Sequence, residues 1–108
     1  MTGQIIRTAL ACVLVFGMSA VQADVETGRA KAKMCVVCHG EFGISMLPNA
    51  PHLAGQPEIY LAEQLKAYRS GKRSNEIMSV IAKPLTDAEI ADLSAWFASI
   101  AIEVKPPK

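Results

Sequence analysis

The run Cys35-Val36-Val37-Cys38-His39 constrains this chain more than any other feature. Two cysteines separated by two residues, with histidine next, form the attachment sequence for c-type haem. The chemistry needs these residue types at this spacing. Each thiol captures one vinyl group, giving two thioether bonds. On a helical turn, two intervening residues set the sulfurs at the separation of the two vinyls. His39 then sits under the iron and can donate an imidazole nitrogen. A zinc site would need two more Cys or His ligands at suitable spacing. Only His52 remains downstream. A dithiol oxidoreductase would need a strand before the motif, and a helix-prone stretch stands there instead.

The 108 residues suffice for one domain. Residues 1–23 read as a secretory signal peptide. Arg7 supplies the positive start, Ala9 to Phe16 the apolar stretch, and Gly17, Ser19 and Ala20 the small residues that follow. Cleavage is expected after Ala23. The apolar run is shorter than the roughly 20 residues a spanning helix needs, which argues against a retained anchor. Cys12 falls inside the apolar run and leaves with the discarded segment. The mature domain is then residues 24–108. Of the 11 basic residues only Arg7 is lost, leaving ten against ten acidic ones. That balance gives no reason to expect nucleic acid as a partner. A domain this small buries a modest core, and many such domains need a staple or a cofactor.

The mature chain reads as helices and loops. A first helix is expected from Val25 to about Cys38, with Asp24 as N-cap. Gly28 inside it costs up to about 1 kcal/mol relative to Ala, which suggests close approach by another element. Residues 40–56 hold Gly40, Gly43, Pro48, Asn49, Pro51 and Gly55, a loop by composition. Loops of that length usually wrap or do something. A second helix starts with Pro57 in its first turn and ends at Gly71. Its apolar positions Leu61, Leu65 and Tyr68 keep the helical period. A third, short helix is expected over Asn75 to Ala82, closed by Pro84. Thr86-Asp87-Ala88-Glu89 is a capping box opening the last helix. Ile90, Leu93, Phe97 and Ile100 form its apolar stripe, with Trp96 beside it. The tail from Lys105 to Lys108 belongs to no element.

A haem iron held by His39 has a second axial position. Met/His ligation is an established arrangement, and a thioether favours ferrous iron and raises the potential. Downstream of His39 the methionines are Met46 and Met78. Met46 is seven residues past the histidine and has little reach to the opposite face. Met78 follows one helix and a turn and can approach from the far side. His52 is the rival; His/His ligation would lower the potential. The other ring nitrogen of His39 needs an acceptor to fix its orientation. Pro51 can present its carbonyl without competition from an amide of its own.

The residues also resemble a family, the class I cytochromes c, and within it the small bacterial c553-type carriers and a single half of the dihaem cytochromes c4. The resemblance runs through Cys35 to Gly40, Pro51-His52-Leu53-Ala54-Gly55-Gln56, Tyr60-Leu61, Gln64-Leu65, Gly71-Lys72-Arg73, Met78, and Leu85 to Ile90. It implies an all-α fold of about four short helices wrapped around one covalently attached haem c. It places Met78 at the axial methionine position and Pro51 where a carbonyl accepts from the axial histidine. It implies that the first and last helices cross near Gly28, against Trp96 or Phe97. A cytochrome c4 carries two such units in one chain, and here there is one. The Pro48-Asn49-Ala50 segment and the Pro-rich tail match nothing in the pattern.

Three functional readings compete. The first is a soluble periplasmic one-electron carrier, meeting donor and acceptor proteins at the exposed haem edge and not bound to a membrane once the signal is removed. Lys66, Arg69, Lys72 and Arg73 form a basic stretch that could face an acidic partner, although an ordinary solvated helix face is the simpler explanation. The second is a cytochrome subunit of a periplasmic dehydrogenase, for example a sulfide-oxidising flavocytochrome. The third is an open-site haem enzyme or gas sensor, against which Met78 argues.

Overall fold

The described residues form five α-helices: α1 (Val25–Lys31), α2 (Val36–His39), α3 (Glu58–Ser70), α4 (Met78–Ala82) and α5 (Asp87–Ser99). A 3-10 turn, Ala32–Cys35, joins α1 to α2. The computed structural model describes residues 22–108 together with Cys12 and Gly17. The expected signal peptide otherwise lies outside the described residues. Among those residues there is no strand, and no helix is long and apolar enough to cross a membrane.

The first expected helix is present but not as one uniform α-helix. It tightens into the 3-10 turn before the cysteine motif and resumes at Val36. Val36 and Val37 are β-branched and weak helix formers. Yet both lie in the α-helical part, while the 3-10 turn holds Ala32, Lys33 and Met34, good helix formers, so propensity does not account for the tightening. Asp24 caps α1 as its sequence position suggests: its carboxylate accepts from the Thr27 amide at 2.7 Å.

Two other starts shift by a few residues. Pro57 is the N-cap of α3 and not its first residue, with an extended ψ of 132°. Its carbonyl nonetheless accepts from the Leu61 amide at 3.0 Å, as a cap residue's should. The third helix begins at Met78 and not at Asn75. The Asn75 side chain takes the amides of Ile77 and Met78 at 3.0 and 2.9 Å. That bonding offers the backbone an alternative to the helix over those three residues. The last helix opens as expected. Thr86 Oγ1 accepts from the Glu89 amide at 3.1 Å, and the Glu89 carboxylate accepts from the Thr86 amide at 3.0 Å.

The core lies where α5 meets α1 and α3. Ala32, Leu61, Ala82, Leu85, Ile90, Leu93 and Phe97 form its buried cluster. Leu53, Leu65, Tyr68, Trp96 and Cys35 pack against it, half-buried. The closest approach is at Gly28. A methyl group there would collide with the Asp92 carbonyl and come within 2.9 Å of Trp96 Cβ. The crossing is then clasped at both ends. The Asp24 amide donates to Asp92 Oδ1 at 2.8 Å, and Lys31 Nζ pairs with Glu89 at 2.8 Å. Arg29 lies over the Trp96 ring, 5.5 Å from its centre. The end of α3 is fixed by Arg69, which donates to the Leu85 carbonyl at 3.0 Å and to Asp87 at 2.6 Å.

Candidate functional site

α2 is a single helical turn, and it ends on His39. Gly40 follows with φ of 80°, which turns the chain out of the helix. His39 is 5 % exposed. Its Nδ1 lies 2.9 Å from the Pro51 carbonyl oxygen. A carbonyl can only accept, so Nδ1 is the protonated nitrogen. Nε2 has no hydrogen-bond partner among the described residues, and in the neutral ring it carries the free lone pair. A neutral imidazole in this tautomer is what a metal ligand requires.

The loop between α2 and α3 brings Pro51 to this position. Gly43, at φ of 75°, is its pivot. Its carbonyl accepts from the amides of both Leu53 and Ala54, at 2.7 and 3.1 Å. A Cβ there would lie 2.8 Å from the Ala54 nitrogen and 2.9 Å from the Phe97 ring. The Gly55 amide then donates to the Phe97 carbonyl at 2.9 Å, tying the loop to α5. Ser45 is buried inside it. Its hydroxyl donates to the Cys38 carbonyl at 2.7 Å, and its amide donates to His52 Nδ1 at 2.9 Å. Reading along the sequence missed Ser45. A serine in a glycine-rich loop carries no pattern, and its partners are set only when the loop closes.

Cys35 and Cys38 are free thiols, both half-buried. Burial pushes the Cys35 thiol up to about 11, and the neighbouring Cys38 adds to the effect. Reactive dithiols show the opposite shift, towards the thiolate. The surroundings of Cys35 therefore disfavour the thiolate that a disulfide exchanger needs. No group of three or more His, Cys, Asp or Glu side chains among the described residues is placed to hold a metal ion together.

The remaining candidates separate. Met78 opens α4 and is half-buried. Met46 is 91 % exposed. The His52 ring has its Nδ1 engaged by an amide donor, so its proton sits on Nε2, the reverse of His39. α4 packs on α3, whereas α2 and α4 make no substantial packing with each other. Around them apolar side chains stand in the open, among them Val37 at 85 % and Val80 at 70 % exposure. Two free thiols, a bare imidazole nitrogen, a thioether and uncovered apolar surface are the donor set and the wall that haem c requires. The residues present fit that group.

The basic stretch is less available than its sequence suggests. Arg69 is committed to Asp87 and Leu85. Arg73 donates to Gln64 at 2.7 Å and lies over the Tyr68 ring. Lys66 and Lys72 remain exposed.

Comparison with known proteins gives one consistent answer. The family described as Cytochrome c matches residues 25–101. Cytochrome c4 of Pseudomonas aeruginosa is 41 % identical over 88 residues, which is 82 % of this chain and 44 % of that protein. Cytochrome c-554(548) of Halomonas halodenitrificans is 39 % identical over 79 residues, covering 70 % of this chain and 95 % of that one. Among solved structures, reduced recombinant cytochrome c4 from Pseudomonas stutzeri superposes with a TM-score of 0.69 at 36 % identity, over 73 % of this chain and 46 % of the other. The chain thus spans about half the length of the cytochromes c4 it matches.

Proposed function

Because the chain belongs to the cytochrome c family, we propose that it carries one haem c and works as a one-electron carrier between donor and acceptor proteins. Cys35 and Cys38 hold the haem through thioether bonds. His39 and Met78 are the axial ligands, and the Pro51 carbonyl keeps the His39 ring in place. When bound, the haem supplies an iron that changes between the ferrous and ferric states. The protein's part is to hold the ligands still and to keep water from the iron. A low-spin site with both axial positions filled leaves no open position for substrate or gas.

The observation that carries this reading is the 2.9 Å contact between His39 Nδ1 and the Pro51 carbonyl. It selects the tautomer of the neutral ring, in which Nε2 is the nitrogen free to bind a metal. It also orients the ring, so little rearrangement accompanies a change of charge at a bound metal. Met78, half-buried at the start of α4, is the proposed second ligand. Its position is fixed by the Asn75 side chain, which accepts from the Met78 amide. A soft thioether there favours the reduced state and raises the potential.

The domain so formed is residues 24–108, exported by the segment 1–23 and released into the periplasm. Its partners are redox proteins met at the exposed haem edge. Lys66 and Lys72 are the basic groups left free to meet an acidic surface, and such redox contacts are typically small and weak.

The test is a spectrum of the protein exported and purified from cells, beside its Met78→Ala variant. Wild type should show covalent haem with the weak sulfur-to-iron band, and its mass should begin at Asp24. The variant should lose that band and fall in potential. An unchanged variant overturns the Met78 assignment. A chain that matures without covalent haem overturns the whole reading.

A further inference from the structure

The Pro51 carbonyl is held in place by a circuit that returns to the cysteine motif. His39 donates to Pro51. The next residue, His52, accepts at Nδ1 from the Ser45 amide at 2.9 Å. Ser45 donates through its hydroxyl to the Cys38 carbonyl at 2.7 Å. Cys38 is bonded to His39. Three hydrogen bonds and two peptide links thus close a ring through both ends of the site.

The buried link is Ser45, whereas Pro51 and His52 are exposed and are held by their bonds. The proline ring fixes φ on the near side of the peptide that carries the acceptor carbonyl. On the far side the His52 side chain is pinned to Ser45. Ser45 is itself buried, and its Oγ also accepts from the Leu47 amide at 3.0 Å. The bond from the Leu53 amide to Gly43 steadies the strand of loop beyond. Without the His52 acceptor, the Ser45 amide would stand part-buried and unpaired, which costs free energy until the loop shifts. The peptide that would move with it bears the Pro51 carbonyl.

We infer that His52 and Ser45 are positioning residues for the axial histidine, setting how firmly the Pro51 carbonyl holds the His39 N–H and hence the electron-donating power of Nε2. This rests on the assignment of His39 as an axial ligand. A firm hydrogen bond raises the basicity of a ligating histidine and favours the more highly charged iron. Hydrogen bonding around the ligands is one of the levers on haem potential. His52 therefore acts on the potential without touching iron.

The experiment compares the haem-loaded wild type with His52→Leu and His52→Asn. Leucine fills space and cannot accept; the asparagine carbonyl oxygen can take the place of Nδ1. His52→Leu should raise the midpoint potential, and the Ser45 amide should exchange about fivefold faster or more, the loss of one hydrogen bond. His52→Asn should return both values to those of wild type. A potential unmoved in His52→Leu, or moved equally in His52→Asn, overturns the inference. If the leucine variant fails to mature, nitrogen NMR of ferrous wild type decides alone. A protonated Nδ1 on His52 overturns the inference, and an unprotonated one upholds the link. Failure of the underlying assignment looks different: wild type itself would lack histidine ligation.

Discussion

The α1–α5 crossing and the loop between α2 and α3 are built by opposite means. At the crossing, two backbones meet at Gly28 with no side chain between them. Apolar stripes from α5 fill the space beside it; the Lys31–Glu89 ion pair closes one end and the Asp24 amide bonded to Asp92 the other. All of that is protein against protein. The 40–56 loop buries few apolar side chains. It is held by hydrogen bonds, by a glycine with positive φ, and by its tie to Phe97. Around α2 and α4, apolar side chains stay uncovered. The crossing is complete in itself, while the other half is shaped around something the chain does not contain. Domains of this size bury only a modest core. Here that core gathers where α5 meets α1 and α3, with Ala82 of α4 at its edge.

The strongest way to break this comparison is to withhold the haem. Cys35→Ala with Cys38→Ala should abolish covalent attachment completely. Amide exchange should then lose its protection over 40–56 and α4. The amides of α1 and α5 around Gly28 should keep part of theirs. Uniform loss along the chain would show that the crossing does not stand alone.

Gly28→Ala tests the crossing from the other side, and two effects compete. Alanine is the better helix former by about 1 kcal/mol. Its methyl, however, would strike the Asp92 carbonyl, a backbone group that cannot swing away. Overpacking of that kind costs up to about 3 kcal/mol. The collision wins, and the urea midpoint should fall by the equivalent of about 2 kcal/mol. A stabilised variant would mean that the helices part easily, and the crossing would lose its status as the rigid half.

The same division governs what could be read from the residues alone. The crossing was legible because its signals are local. A glycine inside a helix costs free energy, so its presence points to a close neighbour. A threonine three residues before a glutamate marks a helix start wherever the helix packs. The cysteine motif is equally local. The 3-10 turn before it was not legible, because Ala32, Lys33 and Met34 are good helix formers and carry no signal of a tighter turn. Asn75 misled for a related reason. Its side chain can cap or compete, and the same residue fits either role. In the loop, Pro51 was reachable because it lacks an amide and so leaves its carbonyl free. Ser45 and the Nδ1 role of His52 were not. Their bonds join positions seven residues apart that meet only when Gly43 folds the loop back on Ala54.

Acid gives the smallest and most selective test. Three carboxyls lie below the ordinary carboxylate range. Asp24 is lowered chiefly by the Thr27 amide it caps, Asp87 by the Arg69 guanidinium that donates to it, and Glu89 by Lys31 and then the Thr86 amide. A carboxyl with a lower value in the folded than in the unfolded chain adds stability above the unfolded value. It loses that contribution as pH falls through the folded value. All three sit at the ends of α1 or α5, and none is in the 40–56 loop. Mild acidification, from about pH 5 towards 3, should therefore lower the urea midpoint by loosening the crossing first. All three carboxyls lie at the surface, so the effect should be modest. Added salt should shrink the shares of Lys31–Glu89 and Arg69–Asp87, since exposed pairs are screened. The Asp24 cap, whose partner is a neutral amide, should respond less. Glu89→Gln should flatten part of the acid limb while still accepting from the Thr86 amide. If protection in the loop vanished before that of α1 and α5, the assignment of acid sensitivity to the crossing would fail.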